Sequence, residues 1–222
     1  MSNSEMENSL ELGKKGRPYG GVASEARAAE RRDALIRAGT RIFGTIGFRR
    51  ATVRAICQEA KLNDRYFYAA FDSADALLRC TYQHHAEQLR ASVTRAVDAL
   101  GGARDGLEAR VDAGLAAFFA FLRNTCAARV LLLEVMGVSA ETDATYQRNL
   151  LEFGKMIISL AGPVSENADA RADQRIIGLA LVGAMTNVGA AWLLTGYRDP
   201  EEKMVRNCRK VLLGTLRFLA AK

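Results

Sequence analysis

Hydrophobic residues recur at helical spacing along most of the chain, and glycines, prolines or capping residues separate one run from the next. The first long run ends at Ile46, where Gly47 is expected to adopt the left-handed conformation that closes many helices. The last run opens at Asp199-Pro200, a helix-start signal. The pattern predicts an all-α protein of about nine helices, over residues 24–46, 52–60, 63–71, 73–100, 104–123, 130–138, 142–161, 171–194 and 199–219.

The second and third predicted helices are short and closely joined. Thr52 and Asn63 are N-cap residues, and residues 61–63 leave only a tight joint between the two helices. Phe67 and Phe71 lie four residues apart and therefore share one face of the third helix. Two short helices joined in this way form a helix-turn-helix, whose second helix can enter the roughly 12 Å wide major groove of DNA.

The outward side of the third helix carries residues suited to reading DNA. With both phenylalanines turned inward, Arg65, Tyr66, Tyr68 and Ala69 must point outward or to the flanks. An arginine and two tyrosines on so short a helix suit contacts with phosphates and bases better than exposure to water alone. We therefore interpret this helix as a recognition helix.

The net charge of +6 is concentrated near the N-terminus. Residues 14–65 contain 13 Lys or Arg and 5 Asp or Glu, a balance of +8, whereas the remainder of the chain balances at −2. A basic segment on a nearly neutral body is the electrostatic pattern of nucleic-acid binding. The charge distribution therefore supports the interpretation of the two short helices.

Residues 1–25 are expected to form a basic, flexible N-terminal arm. Within this arm, the sequence KKGRP at residues 14–18 is similar to the Gly-Arg-Pro core of an AT-hook, which places arginine in a narrow minor groove. The alternative is a solubilising tail without a defined contact. Both interpretations stay open, and the first makes Lys14, Lys15 and Arg17 candidate DNA contacts.

The apolar and capping positions of the N-terminal region fall in a specific register, formed by Ala38, Ile42, Phe43, Gly47, Phe48, Thr52, Ile56, Ala60, Phe67, Tyr68, Phe71 and Leu77. This register resembles the DNA-binding domain of TetR/AcrR-family transcriptional regulators over roughly residues 30–80. The resemblance implies a helix-turn-helix domain over residues 26–80 and a regulatory domain over residues 81–222. The chain departs from the family pattern at three positions: Lys61 replaces a usual Gly, Ala70 a common His and Ala74 a common phosphate-binding Lys.

The resemblance also implies roles for individual residues. Thr52 is expected to contact a phosphate, Arg54 a base edge and Tyr68 the DNA backbone. The alternative for Arg54 is an ion pair with Glu59 or Asp64, and that for Asp64 is an interaction with the helix dipole alone. Arg49, Arg50 or Lys61 is expected to replace the phosphate contact missing at Ala74. The predicted DNA contacts are Lys14, Lys15, Arg17, Arg49, Arg50, Thr52, Arg54, Lys61, Asn63, Asp64, Arg65, Tyr66 and Tyr68.

For the regulatory domain, the resemblance implies a homodimer formed through the last two helices and a ligand cavity among the middle helices. Such a dimer would present two recognition helices to successive major grooves about 34–36 Å apart. Glu134 has the alternative of an ion pair with Arg123 or Arg129, and Asn187 that of lying in the dimer seam. The candidate ligand-binding residues are Phe118, Phe121, Leu122, Glu134, Met136, Phe153, Met156, Asn187 and Trp192, although aromatic and Met residues at helical spacing are also ordinary core.

Residues 176–197 require a membrane test, because these 22 residues carry no charge and are long enough to span a bilayer. The segment holds four glycines together with Thr and Asn, which weakens its hydropathy as a lone span. A helix that is apolar on all sides also fits the centre of a helical protein. We favour the interior helix and expect no membrane partner.

Other chemistry has little support in the sequence. Cys57, Cys80, Cys126 and Cys208 are far apart, which favours free thiols in a reducing cytoplasm over disulfides or a zinc site. The two histidines are adjacent and face different sides of a helix, and the common catalytic motifs are missing. We therefore expect no enzyme activity and no cofactor. The polar N-terminus also lacks the apolar core of a signal peptide.

These observations lead to one expectation and one alternative. We expect a ligand-responsive, dimeric, cytoplasmic transcriptional regulator that binds a double-stranded DNA operator. It is expected to act as a repressor that a small, largely apolar effector releases. The alternative is an architectural or nonspecific DNA-binding protein that responds to no effector.

Overall fold

The computed structural model describes residues 19–100, 106–162 and 167–220, and every regular element in these ranges is helical. The predicted all-α fold is therefore confirmed. A 3-10 turn, Phe48–Arg50, joins the first two α-helices. The nine described α-helices are α1 Tyr19–Ile46, α2 Val53–Ala60, α3 Asp64–Tyr68, α4 Ala74–Asp98, α5 Leu107–Leu122, α6 Thr125–Leu132, α7 Ala140–Ser159, α8 Ala168–Leu194 and α9 Glu201–Ala220.

Polar side chains begin the helices of the N-terminal region where the sequence predicts them. The Thr52 hydroxyl accepts a hydrogen bond from the backbone N–H of Ala55 at 3.1 Å. Asn63 Oδ1 accepts one from the N–H of Tyr66 at 3.2 Å, and Ser73 caps α4 in the same way. Each bond satisfies a backbone donor that the start of a helix leaves without a partner. Local bonds therefore fix the ends of the helix-turn-helix.

Helix α1 ends at Ile46 as predicted, but its start and the conformation of the following glycine differ from the prediction. The helix begins at Tyr19, inside the arm predicted for residues 1–25. Gly47, which follows the helix, has φ 82° and ψ 155°, so it is not in the left-handed helical conformation. This backbone conformation is open to glycine and strained for other residues. A Cβ at Gly47 would also lie 3.2 Å from the carboxylate of Glu134. The glycine therefore permits close packing where α1 ends.

The prediction for α6 is wrong in position. The helix was expected over residues 130–138, but it spans Thr125–Leu132. The side chain of Asn124 caps it early by accepting a hydrogen bond from the N–H of Ala127 at 3.2 Å. The chain then turns at Gly137, where φ is 71°. The apolar run that follows Leu132 therefore packs as a turn rather than as a helix.

Two clusters of buried side chains hold the chain together. One cluster packs α1, α2, α3, α4 and α6 around Phe43 and Phe67. The other packs α5, α8 and α9 around Phe119 and Trp192. Helix α4 continues without a break past residue 80, the predicted domain boundary. The two regions therefore share one long helix.

Helix α6 rests directly on α1. A Cβ on Gly44 would lie only 2.5 Å from the Cα of Cys126, so no side chain fits between the two helices there. Beside this contact, the Glu134 carboxylate accepts a hydrogen bond from the N–H of Phe48 at 2.7 Å. The same carboxylate pairs with Arg129 Nε at 2.7 Å. Glu134 was considered either as a ligand contact or as the partner of Arg123 or Arg129 in an ion pair. In the structure it pairs with Arg129.

A second polar junction ties α4 to α7. Asp75, in the first turn of α4, accepts hydrogen bonds from Ser139 at 2.9 Å and Thr142 at 2.6 Å. It also pairs with Arg79 at 3.2 Å. Both hydroxyls belong to the start of α7, so the ends of α4 and α7 nearest the helix-turn-helix are held together.

Helix α8 contains most of the uncharged segment 176–197 that was singled out in the sequence. It is the single described helix that is long and apolar enough to cross a bilayer, although α5 and α6 would pass together despite a 105° bend. A core helix of a soluble protein meets the same criteria. Gly178 of α8 packs backbone to backbone on Gly154 of α7, where an added Cβ would lie 3.0 Å from the facing carbonyl. The crossing covers one side of α8, but only 33% of its apolar 18-residue window is buried, so the expected interior position is not reached within a single chain.

Candidate DNA-binding surface and ligand cavity

The aromatic residues of α3 and its C-terminal flank are divided between core and solvent. Phe67 is fully buried and Phe71 nearly so, and their ring centroids lie 6.1 Å apart. Arg65 is exposed, and Tyr66 and Tyr68 are 39% and 59% exposed. The structure therefore orients α3 as the sequence predicts, with two rings as anchors and three longer side chains outside.

Lys61 forms the turn between α2 and α3 in the left-handed conformation, with φ 55° and ψ 40°. Its N–H lies against the carbonyls of Cys57 and Gln58 and so closes α2. A glycine adopts this conformation without strain, whereas a residue with a Cβ is disfavoured by about 1 kcal/mol. The lysine places an exposed positive charge just before α3. Compared with a glycine, it adds this charge at the expense of a strained backbone conformation.

Arg54 does not form the ion pair with Glu59 or Asp64 that was considered as its alternative role. Arg54 is exposed and forms no ion pair within the described residues, while Glu59 bonds to Arg41 of α1. Asp64 instead acts on the thiol of Cys57. Burial, together with the effect of Asp64, raises the pKa of Cys57 to about 11, so the thiol stays protonated. Arg54 therefore keeps its guanidinium available to a ligand.

Arg31 is a candidate that sequence reasoning missed. Its guanidinium carbon lies 4.7 Å from the centroid of the Tyr66 ring, within cation–π range. The contact joins α1 to α3 across a large sequence separation, so no local pattern could have revealed it. Arg31 holds the ring of Tyr66 at the edge of the recognition helix and adds positive charge there.

Other predicted basic contacts are distributed around the same domain. Arg49 and Arg50 lie in the 3-10 turn after α1 and are exposed, and Arg50 Nε donates to the carbonyl of Ile46 at 2.9 Å. Ala74, the departure from the phosphate-binding Lys, is the first residue of α4. The arm residues Lys14, Lys15 and Arg17 lie outside the described residues, so their contact with a minor groove stays a prediction.

The regulatory region encloses a cavity of about 200 Å³. Side chains from α4, α5, α6, α7, α8 and α9 line it, and its surface is overwhelmingly apolar. Three of the predicted ligand-binding residues belong to this lining: Phe118, Phe153 and Met156. Of the nine candidate residues, these three lie in the cavity wall, and whether they bind a ligand stays a prediction.

The other six predicted ligand-binding residues do not line the cavity. Trp192 is buried in the core and donates to the Asp199 carbonyl at 2.8 Å. Met136 is 64% exposed near the end of α1, and Asn187 is exposed on α8. The remaining three, Phe121, Leu122 and Glu134, pack in the core or at the contact between α1 and α6.

Two tyrosines in the cavity wall were not among the candidates. Tyr82 of α4 and Tyr146 of α7 both line the cavity, with ring centroids 6.0 Å apart. Burial raises the pKa of each phenol, so both remain neutral. Tyr82 looked like ordinary helical core in the sequence, because only the packing of α7 against α4 brings the two phenols together.

The two histidines lie on different sides of α4, as predicted. His84 is exposed, whereas His85 is buried with its Nε2 2.8 Å from the hydroxyl of Thr40. Burial lowers the pKa of His85 to about 4, although a hydrogen bond to Gln88 acts in the opposite direction. Within the described residues, His, Cys, Asp and Glu form no group of three or more that could hold a metal ion.

The described helices thus combine an exposed, positively charged helix-turn-helix with a helical domain built around an apolar cavity. This arrangement defines a helix-turn-helix DNA-binding protein. Residues 35–80 match the family model of bacterial regulatory proteins, tetR family. The match places the resemblance on the same helices that the sequence singled out.

Solved structures with the same fold extend the similarity beyond the matched domain. The fatty acid degradation regulator FadR from Bacillus halodurans has a TM-score of 0.67 and 18% identity, covering 84% of this chain and 96% of its own. SCO4454, a TetR-family regulator from Streptomyces coelicolor, has a TM-score of 0.64 and 18% identity, covering 93% and 98%. FadR from Bacillus subtilis, in complex with stearoyl-CoA, has a TM-score of 0.63 and 14% identity, covering 81% and 96%.

No curated protein matches the sequence. The family match and the shared fold nevertheless agree, and the predicted resemblance to TetR/AcrR-family transcriptional regulators is confirmed.

Proposed function

We propose that the protein is a dimeric, ligand-responsive transcriptional regulator, a repressor that a small, apolar effector releases from its DNA operator. The observation that carries this proposal is the division of α3 between buried Phe67 and exposed Arg65, Tyr66 and Tyr68. A helix anchored in this way presents its remaining side chains in a fixed orientation, which reading a major groove requires. The proposal places the protein in the cytoplasm and away from membranes.

Exposed cations around α3 supply the expected contacts. Arg54 and Arg65 are placed to read base edges, and an arginine bound bidentately to guanine contributes roughly 1–3 kcal/mol of discrimination. Arg49, Arg50 and Lys61 are placed to contact phosphates, which position the protein without specifying sequence. This division of roles predicts sequence preference from the first pair and salt dependence from all five.

The dimer is supported by uncovered apolar faces on the last two helices. Ile176, Gly183 and Leu194 are exposed on one side of α8, and Val211 and Gly214 are exposed on α9. Nothing lies within 4 Å of a Cβ placed on Gly183 or Gly214. A second copy would cover both faces and would also align two recognition helices on successive grooves. Asn187 shares the exposed face of α8, which favours the seam over the cavity.

The dimer is tested by Gly183→Arg, which places a charge in the middle of this face. We expect the variant to sediment as a monomer at concentrations where the unmodified protein is a dimer. Ala144→Arg, at an exposed alanine of α7, is the matched control and is expected to stay dimeric. An unmodified protein that sediments as a monomer at working concentration would contradict the dimer.

The effector is expected to act through α4 and α6, since both helices line the cavity and both reach the DNA-binding domain. Helix α6 rests on α1 at Gly44, and α4 is tied to α7 at Asp75. A ligand that favours one arrangement of these helices by about 1–3 kcal/mol changes DNA affinity roughly 5- to 150-fold. The stearoyl-CoA complex of FadR from Bacillus subtilis supports an effector with an apolar part.

The DNA-binding role is tested on an operator selected by the protein from random or genomic fragments. Arg65→Ala and Tyr68→Ala are each expected to weaken binding by at least tenfold. Arg148→Ala, an exposed arginine on α7, is the matched control and is expected to bind normally. Competition with unrelated DNA separates a regulator from an architectural protein, because an architectural protein would lose its selected fragment to the competitor. Unchanged affinity and salt dependence in both α3 variants would exclude α3 as the recognition helix.

A further inference from the structure

The charge of the cavity wall limits what the cavity can hold. Among the described lining residues Asp98 is the one charged group, and none is Lys, Arg or His. Asp98 and Thr94 are exposed at the C-terminal end of α4, so this end of the cavity opens toward solvent. An anionic group carried into such a cavity would lose its hydration without gaining a cation. The wall therefore disfavours carboxylates and phosphates.

The buried end of the cavity contains a polar handle. Tyr82 is 3% exposed, and its hydroxyl has no hydrogen-bond partner among the described residues. The same holds for the hydroxyl of Tyr146, whose ring lies beside it. A neutral phenol can both donate and accept a hydrogen bond. An oxygen atom of a ligand would satisfy this pair.

Arg90 is the nearby cation, but it is engaged elsewhere. Its guanidinium donates to Asn149 Oδ1 at 3.2 Å and lies 5.8 Å from the centroid of the Phe153 ring. Phe153 lines the cavity, whereas Arg90 does not. Arg90 is therefore not a lining residue, and its charge reaches the cavity only through its electrostatic effect on the Tyr82 phenol.

We propose that the cavity binds a small, uncharged, apolar molecule whose hydrogen-bonding oxygen contacts the Tyr82–Tyr146 pair, in the class of medium-chain alcohols and ketones. The assignment rests on the proposed function, because it names the class of the effector. The cavity volume of about 200 Å³ is below the roughly 300–1,000 Å³ of sites for drug-sized ligands, so a small molecule fills it. A ligand that carries several phosphates does not match either its size or its charge.

The test compares two probes of one chain length on the full protein at pH 7: 1-octanol, which is neutral, and octanoate, which is anionic. Calorimetric titration is expected to detect 1-octanol binding and at least tenfold weaker octanoate binding. Tyr82→Phe and Tyr146→Phe keep the rings and remove the hydroxyls, and each is expected to weaken 1-octanol roughly two- to tenfold. Tyr197→Phe is the matched control, since that hydroxyl bonds to the Leu122 carbonyl away from the cavity and should leave 1-octanol binding unchanged.

Three results would overturn the assignment: no 1-octanol binding up to its solubility limit, octanoate binding as tight as 1-octanol, or unchanged 1-octanol affinity in both cavity variants. Measuring operator binding and sedimentation on the same preparation distinguishes failure of this inference from failure of the proposed function. A dimer that binds its operator but ignores 1-octanol would contradict the ligand class alone. A protein that binds 1-octanol but no operator would contradict the regulator and leave the cavity assignment standing.

Discussion

The helix-turn-helix and the cavity wall contain the same kinds of side chain but pack them differently. Phe67 is completely buried in the cluster that packs α1, α2, α3, α4 and α6 together, and it meets Tyr68 edge to face at 5.3 Å. Phe118 and Phe153, by contrast, border a space of about 200 Å³ and are only partly buried. An atom that faces a void has no dispersion partner on that side, so the cavity wall is held less tightly than the DNA-binding core.

Under the proposed function, this difference in packing matches two different tasks, DNA binding and ligand binding. A reading surface must keep one geometry, because a shift of the recognition helix changes every contact in the groove. A sensing surface must be able to adopt two geometries with similar free energy, which a loosely packed wall permits. The two regions share the continuous α4, and under the proposed function this helix would carry a change in the cavity wall to the helix-turn-helix.

The sharpest test of this comparison exchanges one phenylalanine in each region for alanine. Phe67→Ala is expected to reduce the free energy of unfolding by about 3–5 kcal/mol, because it empties a fully packed site. Phe153→Ala should cost only about 1–2 kcal/mol, since one side of its ring already borders a cavity. Urea unfolding measures both. Equal losses would show that the wall is packed as tightly as the core.

The contact between the regions is expected to depend on pH through His85. Its folded pKa of about 4 lies below its ordinary value of 6.5, so the fold disfavours the charged ring. The corresponding stability is complete above pH 6.5 and is lost as the pH falls from 6.5 through 4, by about 3 kcal/mol at most. His85→Asn should flatten this part of the curve of unfolding free energy against pH. His84→Asn, at the exposed neighbour, removes only the smallest of the named contributions to the pKa of His85 and should change the slope far less.

Adding a single methyl group at the crossing of α7 and α8 is expected to destabilise the protein. Gly178→Ala places a Cβ about 3.0 Å from the backbone of Gly154, and we expect a loss of about 1–2 kcal/mol despite the better helix propensity of alanine. Gly114→Ala is the matched control, because its Cβ would lie 3.6 Å from Val93, an ordinary contact. It should stabilise α5 by up to about 1 kcal/mol. Thermal unfolding measures the stability of both variants. If neither variant were less stable than the unmodified protein, the two helices would be packed less closely than the structure shows.

The smallest expected effect concerns Lys61. Lys61→Gly relieves the left-handed conformation and should stabilise the protein by about 0.5–1 kcal/mol. It also removes one charge, so the slope of log affinity for the operator against log salt should fall by about 1. Lys61→Asn tolerates the same backbone and removes the same charge, and should therefore match the glycine variant in slope. A slope that stays constant in both would exclude Lys61 as a phosphate contact.

Sequence reasoning succeeded where the determining contacts are local. Thr52 and Asn63 were identified as caps because the bonds that they accept come from residues three positions ahead. The inward turn of Phe67 and Phe71 followed from their spacing on one helix. The orientation of α3 could therefore be predicted from the sequence, whereas the contact of Arg31 with Tyr66 could not, because it joins two separate helices.

The cavity could not be predicted in the same way. Whether a large apolar residue fills the core or borders a void depends on neighbours from other helices. Trp192 and Phe118 have similar sequence surroundings, but Trp192 packs against Phe119 of α5 and Tyr197 while Phe118 faces the cavity. Tyr146 becomes a candidate ligand contact only because its ring lies beside that of Tyr82, which is 64 positions earlier in the chain.

The contact of Gly44 with Cys126 has a consequence for engineering. A hybrid that joins this DNA-binding domain to the sensing domain of a relative would bring a foreign α6 against the bare backbone at Gly44. If that α6 approached from a greater distance, the glycine would leave a gap. If it replaced Cys126 by a bulkier residue, the two modules would be forced apart. Functional chimeras therefore require both positions to be transplanted from the same parent.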